Sequence, residues 1–232
     1  MILKVPQAEE TFVVMPVYNE AEVVTGVIKD VKRYFSNIVC VNDGSQDNSG
    51  QMILDSGAIL VEHSINLGAG AATQTGVEYA LMNKNIKYFV TIDADAQHNI
   101  GDAINMLKML QNNNLDIVFG SRFIGVIKNI NPFKRIFLKM AGFFSKTTTG
   151  ISLSDPHIGL RAFNRKFAEN VKITLPGFAH ASELIHKVAD GNYKFGESPV
   201  TVTYSDYSKA KGQPMLNAIN IAFDILIHRI TK

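Results

Sequence analysis

Short apolar runs and amphipathic stretches alternate along the first 122 residues of the chain. Runs rich in β-branched residues predict strands, and apolar positions that recur at helical spacing predict the helices between them. The predicted strands cover residues 11–15, 38–41, 58–61, 88–92 and 116–120, and the intervening helices end near residues 31, 56, 83 and 111. Strands and helices at this spacing are typical of βαβ units. This half therefore predicts a mostly parallel sheet flanked by helices, with Pro16 closing the first strand.

The second half of the chain has a less regular order of elements. Its pattern predicts helices at 131–147, 181–189 and 215–230, a short strand that ends near residue 164 and a longer strand at 193–203. Residues 209–212 form a predicted basic loop before the terminal amphipathic helix. Neither internal repeats nor a long linker interrupts the sequence, so we predict a single α/β domain over residues 1–232.

Polar residues follow the ends of the predicted strands, which is where open α/β sheets bind ligands. Right-handed crossovers would place the loops at Tyr18, Asp43, Gly68, Asp93 and Arg122 on the same edge of the sheet. We therefore expect these loops to converge on one crevice.

The fourth predicted strand runs directly into Asp93-Ala94-Asp95-Ala96-Gln97. Two carboxylates two residues apart, followed by a carboxamide, offer the hard oxygen ligands that Mg²⁺ or Mn²⁺ prefers. A plain polar turn is the alternative, since aspartate is common in turns. The polar residues at the other strand ends favour the metal site.

Composition excludes several classes of function. The 23 basic and 21 acidic side chains give a net charge of +2 and tryptophan is absent, so no nucleic-acid partner is expected. Cys40, the only cysteine, lies in an apolar run and is expected to be a buried, inert thiol in a reducing compartment. The segment from Gly68 to Thr73 lacks the third glycine of a dinucleotide fingerprint, and no P-loop pattern occurs. Its glycines, Gly70 among them, would still allow close backbone approach to a ligand.

Three strand ends together resemble those of the family 2 glycosyltransferases with the GT-A fold. They are Pro16-Val17-Tyr18-Asn19-Glu20, Asn42-Asp43-Gly44-Ser45 and Asp93-Ala94-Asp95-Ala96-Gln97-His98. Within that family the chain is similar to the dolichyl-phosphate mannose synthase group and its bacterial polyprenyl-phosphate relatives. The similarity covers nearly the whole chain and continues at residues 66–70, 120–123, 155–161 and 197–200. It implies a nucleotide-sugar-binding half at 1–122 and an acceptor-side half at 123–232.

The resemblance implies that the strand-end loops and the basic loop bind a nucleotide-sugar donor, either a UDP-sugar or a GDP-sugar. The donor-binding residues would be Pro16, Tyr18, Glu20, Asp43, Gly70, Asp93, Ala94, Asp95, Lys209 and Lys211. For the two lysines, a solvated surface position is the alternative. The resemblance also implies that Asp93, Asp95 and Gln97 hold Mg²⁺ or Mn²⁺, which would neutralise the departing diphosphate. Arg122 and Arg135 match arginines that the family uses near phosphates, and a guanidinium pairs bidentately with phosphate oxygens.

Asp155 matches the carboxylate that inverting members of the family place beside the acceptor. Asp155, Arg122 and Asp95 are therefore the predicted catalytic residues. A hydroxyl acceptor would need Asp155 as a general base, whereas a phosphate acceptor is already ionised at neutral pH and would not. Both roles of Asp155, base or positioning group, stay open. Glu183 is a further carboxylate candidate, and a charge on a helix surface is its favoured interpretation.

The predicted function is inverting, metal-dependent transfer of a sugar to an acceptor, most readily a polyprenyl phosphate. The alternatives are a soluble or cell-surface saccharide acceptor, and a non-catalytic module that binds a nucleotide sugar. No stretch reaches the roughly 20 apolar residues needed to span a bilayer, so we expect a cytoplasmic protein. The apolar stripe of the terminal helix fits peripheral contact with the cytoplasmic membrane face, packing on the sheet, or a homo-oligomer.

Overall fold

A computed structural model describes residues 8–177 and 179–211 of the 232-residue chain. The strands are β1 (Thr11–Val17), β2 (Asn37–Asp43), β3 (Ile59–His63), β4 (Tyr88–Thr91), β5 (Ile117–Lys128), β6 (Arg161–Asn164) and β7 (Phe195–Thr203). The helices are α1 (Val24–Val31), α2 (Ser49–Asp55), α3 (Ala69–Leu81), α4 (Ile100–Asn112), α5 (Pro132–Thr149), α6 (Arg165–Asn170), α7 (Ala179–Asp190) and α8 (Asp206–Lys211).

Within these residues, the strands form one seven-stranded sheet in the order β3-β2-β1-β4-β6-β5-β7. Strand β6 runs antiparallel to both of its neighbours, β4 and β5, and the other pairs are parallel. The predicted α/β class with a mostly parallel central sheet is therefore confirmed.

A hydrophobic core covers each face of the sheet. Along β1, Val13 and Met15 pack into one core, and Phe12 and Val14 pack into the other. The first core includes residues of α1, α2 and α4, and the second includes residues of α3, α6 and α7. Burial on both faces explains why β1 and β4 are almost entirely apolar runs in the sequence. Cys40 lies in the first core, where burial raises the pKa of its thiol to about 12, as expected for an inert side chain.

Strand β1 continues through Pro16 and ends at Val17, so the prediction that Pro16 closes the strand is wrong. Val14 accepts a hydrogen bond from the backbone N–H of Ile92, and the pairing of β1 with β4 ends at Val14 and Thr91. Backbone polar groups two residues apart in a strand point to the same neighbouring strand, so those of Pro16, like those of Val14, point to the β4 side. The pairing with β4 has already ended there, so the N–H that proline lacks is not needed for a hydrogen bond between the strands.

The predicted basic loop at 209–212 is also different in the structure. Lys209 and Lys211 belong to the short helix α8. The hydroxyl oxygen of Ser205 accepts from the backbone N–H of Ser208, and Asp206 lies in the first turn. A capping hydroxyl and an acidic residue in the first turn are both typical of a helix N-terminus. The predicted terminal helix at 215–230 lies outside the described residues. Among residues 8–177 and 179–211, no helix is long and apolar enough to cross a membrane.

Candidate active site at the carboxyl edge of the sheet

The loops that follow β1 and β2 are joined by direct hydrogen bonds. The backbone N–H of Asn19 donates to the hydroxyl of Ser45 at 2.9 Å, and that of Glu20 donates to the hydroxyl of Ser49 at 2.8 Å. Asn19 adopts a left-handed conformation, with φ of 55°, and the ring of Tyr18 stays exposed. The predicted convergence of these two loops is therefore present, and it places an exposed aromatic ring at the edge of the sheet.

Asp43 organises the loop that follows β3. Its carboxylate accepts from the backbone N–H groups of Leu67, at 2.9 Å, and Gly68, at 2.7 Å, and its Oδ1 lies 2.7 Å from Nδ1 of His63. A carboxylate accepts about four hydrogen bonds, and Asp43 is only 2% exposed, so these contacts within the fold take up most of its capacity. Asp43 thus fixes the backbone around the Gly68 turn at the start of α3.

Asp93 lies in a narrow cradle at the end of β4. A Cβ atom on Gly159 would fall only 2.1 Å from Oδ2 and 2.2 Å from Oδ1 of Asp93. Nε2 of His98 lies 3.2 Å from the Asp93 carboxylate, and the buried Arg161, 2% exposed, acts on it through its charge. Enclosure by the crevice would raise the pKa of Asp93, but His98 and Arg161 outweigh this and lower it. The side chain of Asp93 is nevertheless 47% exposed, so its oxygens remain open to a ligand.

Asp95 and Gln97 form a tight turn beside Asp93. The Asp95 carboxylate accepts from the backbone N–H of Gln97 at 3.1 Å and from its side-chain amide at 2.5 Å. Ala96 between them has a φ of 61°, a left-handed conformation that is uncommon for alanine and recurs at functional sites. Burial and the neighbouring charge of Asp93 raise the pKa of Asp95 to about 6. The two carboxylates therefore repel each other in the absence of a cation.

This pair of carboxylates fits a divalent cation. A cation would relieve the repulsion between Asp93 and Asp95, and both offer hard oxygen ligands. The described residues contain no cluster of three or more His, Cys, Asp or Glu side chains placed to hold a metal. Mg²⁺, however, is commonly bound by one or two carboxylates together with substrate phosphates. Gln97 turns its amide nitrogen toward Asp95, so its side chain would have to rotate to present the carbonyl oxygen.

Arg122 and Asp155 form a buried ion pair across the crevice from β4. Oδ2 of Asp155 accepts from Nε of Arg122 at 2.6 Å and from its backbone N–H at 3.0 Å. The guanidinium also donates to the hydroxyl oxygen of Tyr204 at 2.6 Å. Burial would lower the pKa of Arg122, but the charge of Asp155 outweighs it and raises the pKa, so Arg122 is cationic. Asp155 itself is only 1% exposed.

The crevice has paired carboxylates at the end of one strand and a buried arginine at another, which suits a nucleoside diphosphate. Comparison with known proteins identifies the family. The sequence model described as glycosyl transferase family 2 matches residues 12–172. The chain belongs to glycosyl transferase family 2. It is therefore a glycosyltransferase, and its fold is the GT-A fold predicted from the sequence.

Relatives of this family 2 glycosyltransferase match it over most of their length. An uncharacterized protein of Methanocaldococcus jannaschii is 31% identical, over 96% of this chain and 93% of its own. A UDP-N-acetylglucosamine–dolichyl-phosphate N-acetylglucosaminyltransferase of Methanococcus voltae is 26% identical, over 95% and 96% of the two chains. A polyprenol monophosphomannose synthase of Mycolicibacterium smegmatis is also 26% identical, over 88% and 81%.

Solved structures share the fold at low sequence identity. Glucosyl-3-phosphoglycerate synthase of Mycobacterium tuberculosis, in complex with Mn²⁺ and UDP-glucose, matches with a TM-score of 0.69 and 15% identity. The alignment covers 93% of this chain and 76% of that one.

The other predicted site residues of the glycosyltransferase differ in burial and in their distance from the crevice. Ala94 packs in the hydrophobic core, and Gly70 is buried, since a Cβ there would fall 2.2 Å from the carbonyl oxygen of Leu175. Arg135 is exposed on α5, and the described contacts do not join it to Arg122 or Asp155. Of Lys209 and Lys211 the structure describes only the backbone, in α8.

Glu183 is buried on α7, so the expectation of a helix-surface charge is wrong. Its carboxylate accepts from the backbone N–H groups of Thr174 and Leu175 and from the Thr174 hydroxyl, and it pairs with Lys187 at 2.7 Å. These bonds hold the loop that packs against Gly70, so Glu183 supports the site from behind. Burial alone would raise the pKa of Glu183, but the hydrogen bonds from Lys187 and Thr174 outweigh it and lower the pKa.

Replacement of Glu183 by glutamine is expected to destabilise the fold by about 1–3 kcal/mol at pH 7, because the hydrogen-bond donors of Thr174, Leu175 and Lys187 lose an ionised acceptor at a buried position. Folding lowers the pKa of Glu183, so its charge stabilises the native state above the unfolded-state pKa and less so as the pH falls through the native pKa. The difference between the two proteins should therefore shrink in acid. Urea unfolding at pH 7 and at about pH 3.5 tests this. The exposed Glu169→Gln should change stability by less than about 0.5 kcal/mol, and an equal loss in both variants would contradict the proposed role.

Two tyrosines that border the crevice are not predicted by any pattern in the sequence. Tyr204 follows β7, and its hydroxyl oxygen accepts a hydrogen bond from Arg122. The hydroxyl of Tyr207 on α8 donates to the Glu20 carboxylate at 2.7 Å. Both tyrosines lie in a short polar segment without a periodic pattern, and their nearness to Lys209 in the sequence is the signal that could have indicated them.

Proposed function

We propose that this glycosyltransferase moves a sugar from a nucleoside diphosphate to a polyprenyl phosphate, with a divalent cation and with inversion at the sugar carbon. The observation that carries the proposal is the ion pair of Arg122 with Asp155. The carboxylate of Asp155 is 1% exposed and accepts two hydrogen bonds from Arg122, so it is poorly placed to take a proton from an acceptor.

The donor would occupy the half of the crevice built by residues 1–122. The exposed ring of Tyr18 provides a stacking surface for the nucleobase, and Asp43 holds the backbone of the Gly68 turn beside it. Asp93 and Asp95 are the residues that would hold Mg²⁺ or Mn²⁺ at the diphosphate. When bound, the cation would act as a Lewis acid for the negative charge on the departing nucleoside diphosphate.

The acceptor would occupy the side formed by residues 123–232, next to Arg122. An oxygen of the acceptor phosphate attacks the sugar carbon, and the bond from that carbon to the diphosphate oxygen breaks with its electron pair leaving on the nucleoside diphosphate. The acceptor oxygen is already ionised at neutral pH, because the second phosphate pKa is about 6. No proton has to be removed, so Asp155 is free to position Arg122, whose charge attracts the acceptor phosphate.

Exposed apolar side chains on this side support a lipid acceptor. Four apolar side chains on this side are 50–65% exposed: Ile124 and Val126 on β5, and Ile136 and Met140 on α5. The exposed Arg135 precedes Ile136 in the sequence. Apolar side chains beside basic ones favour contact with a membrane surface. The Methanococcus voltae relative is named for transfer to dolichyl phosphate and the Mycolicibacterium smegmatis relative for synthesis of polyprenol monophosphomannose, and both names agree with this proposal.

The decisive experiment compares polyprenyl phosphate with the matching polyprenol, which has a hydroxyl in place of the phosphate. UDP- and GDP-sugars are screened with Mg²⁺ or Mn²⁺, and lipid-linked sugar is measured. We expect transfer to the lipid phosphate alone. Transfer to polyprenol at a similar rate, or to a soluble acceptor such as phosphoglyceric acid but not to the lipid phosphate, would contradict the proposal.

A further inference from the structure

Glu197 on β7 holds the turn that carries Asp155. Its Oε1 accepts from the backbone N–H of Ser154 at 2.8 Å, from the hydroxyl of Ser154 at 2.8 Å and from the backbone N–H of Asp155 at 3.3 Å. An ionised acceptor makes hydrogen bonds roughly twice as strong as a neutral one. One carboxylate oxygen therefore fixes both the backbone and the side chain of the residue that precedes Asp155.

The same carboxylate orders a chain of hydroxyl groups that reaches Arg122. The Ser154 hydroxyl lies 2.5 Å from that of Ser121, and its proton is already donated to Glu197. Ser121 must then donate to Ser154, and its oxygen is left to accept from the backbone N–H groups of Phe123, at 3.2 Å, and Ile124, at 3.4 Å. Arg122 lies within this segment.

The pairing of β5 with β7 is irregular at this point. The register between the two strands shifts between Ser121 and Val126, so the regular ladder is interrupted in the segment that contains Arg122. The hydroxyl chain from Glu197 supplies backbone contacts there instead. Both partners of the Arg122–Asp155 pair thus depend on the same carboxylate.

We propose that Glu197 is a positioning residue that keeps Arg122 and Asp155 in the geometry needed for transfer. The catalytic consequence rests on the proposed function, because Arg122 is assigned to the acceptor phosphate. The structural consequence is independent of the proposed function. Without the carboxylate, the turn at Ser154 and the segment after Ser121 lose the hydrogen-bond acceptor that connects them.

The test uses Glu197→Ala and Glu197→Gln in the 232-residue chain. Because a displacement of about 1 Å can cost roughly 100-fold in rate, Glu197→Ala should lower kcat by about 100-fold and leave the donor KM nearly unchanged. It should also increase amide hydrogen exchange at residues 153–155 and 121–124, and leave exchange at 91–95 as in the wild type. Glu197→Gln should recover part of kcat, because its carbonyl oxygen can accept the same three hydrogen bonds, although each is weaker than one to a carboxylate.

Asp116→Ala is the matched control at the opposite edge of the sheet. Asp116 also accepts from a backbone N–H, that of Lys194 at 2.9 Å, and from the amide of Asn164 at 3.1 Å, but it is remote from the crevice edge. We expect this variant to lose thermal stability and keep its kcat. Equal losses of kcat in Glu197→Ala and Asp116→Ala, or unchanged exchange at 153–155 in Glu197→Ala, would overturn the inference. A wild-type protein inactive on polyprenyl phosphate would refute the proposed function, while the exchange result would still decide the role of Glu197.

Discussion

Asp95→Asn is expected to lower metal-dependent sugar transfer by about 10²–10³-fold, the usual cost of removing one electrostatic contact to a developing charge. Asparagine keeps the size of the side chain and can still accept from Gln97, so the turn at Ala96 should persist. The loss would come from the missing charge beside Asp93. Two measurements separate weaker metal binding from slower chemistry. One is the initial rate over a Mn²⁺ titration, and the other is Mn²⁺ binding measured directly by electron paramagnetic resonance.

The surface variant Asp55→Asn serves as the control for Asp95→Asn, since Asp55 is exposed at the end of α2. It should bind Mn²⁺ and turn over as the wild type does. Wild-type Mn²⁺ affinity and turnover in Asp95→Asn would show that Asp95 does not bind the cation.

Gly159→Ala is expected to weaken Mn²⁺ binding and turnover by about 10–100-fold, the range found when residues that support a metal ligand are replaced. A Cβ atom at this position would lie 2.1–2.4 Å from the carboxyl atoms of Asp93, so the carboxylate would have to move. The matched control is Gly26→Ala on α1, where an added Cβ meets nothing within 4 Å. That variant should be as active as the wild type and slightly more stable, by about 0.5–1 kcal/mol.

A double-mutant cycle tests whether Gly159→Ala acts through Asp93. If it does, adding Gly159→Ala to Asp93→Ala should cause little further loss of Mn²⁺ affinity, because the displaced group is already absent. Additive losses in the cycle would instead place the effect of Gly159 elsewhere in the crevice.

The sequence predicted those features that follow from local pattern. Strand β4 and the adjacent Asp93 and Asp95 were found because a buried parallel strand is an apolar run whose end carries the polar residues. Features that depend on pairing between distant residues were not found. The contact of Arg122 with Asp155 spans 33 positions, and the partners of Glu183 are loop backbone groups, which no side-chain pattern reveals.

The position of β6 in the sheet also could not be predicted. Residues 161–164 are Arg-Ala-Phe-Asn, a short segment with two apolar residues between two polar ones, and nothing in this pattern indicates the direction in which they pair. Direction is decided by contacts of β6 with β4 and β5, which are remote in the chain. For the same reason, Arg161 was noted in the sequence only as part of a resemblance and not as a buried charge beside Asp93.

The reversed direction of β6 determines which connection reaches the crevice. In a parallel strand the residues after the strand lie at the carboxyl edge of the sheet, but in β6 it is the first residue, Arg161, that lies beside Thr91 at the end of β4. The segment that leads into β6, with Asp155 and Gly159, therefore arrives between the strand that carries Asp93 and the strand that carries Arg122. One inverted strand thus lets the chain insert an additional loop into the middle of the crevice, between Asp93 and Arg122.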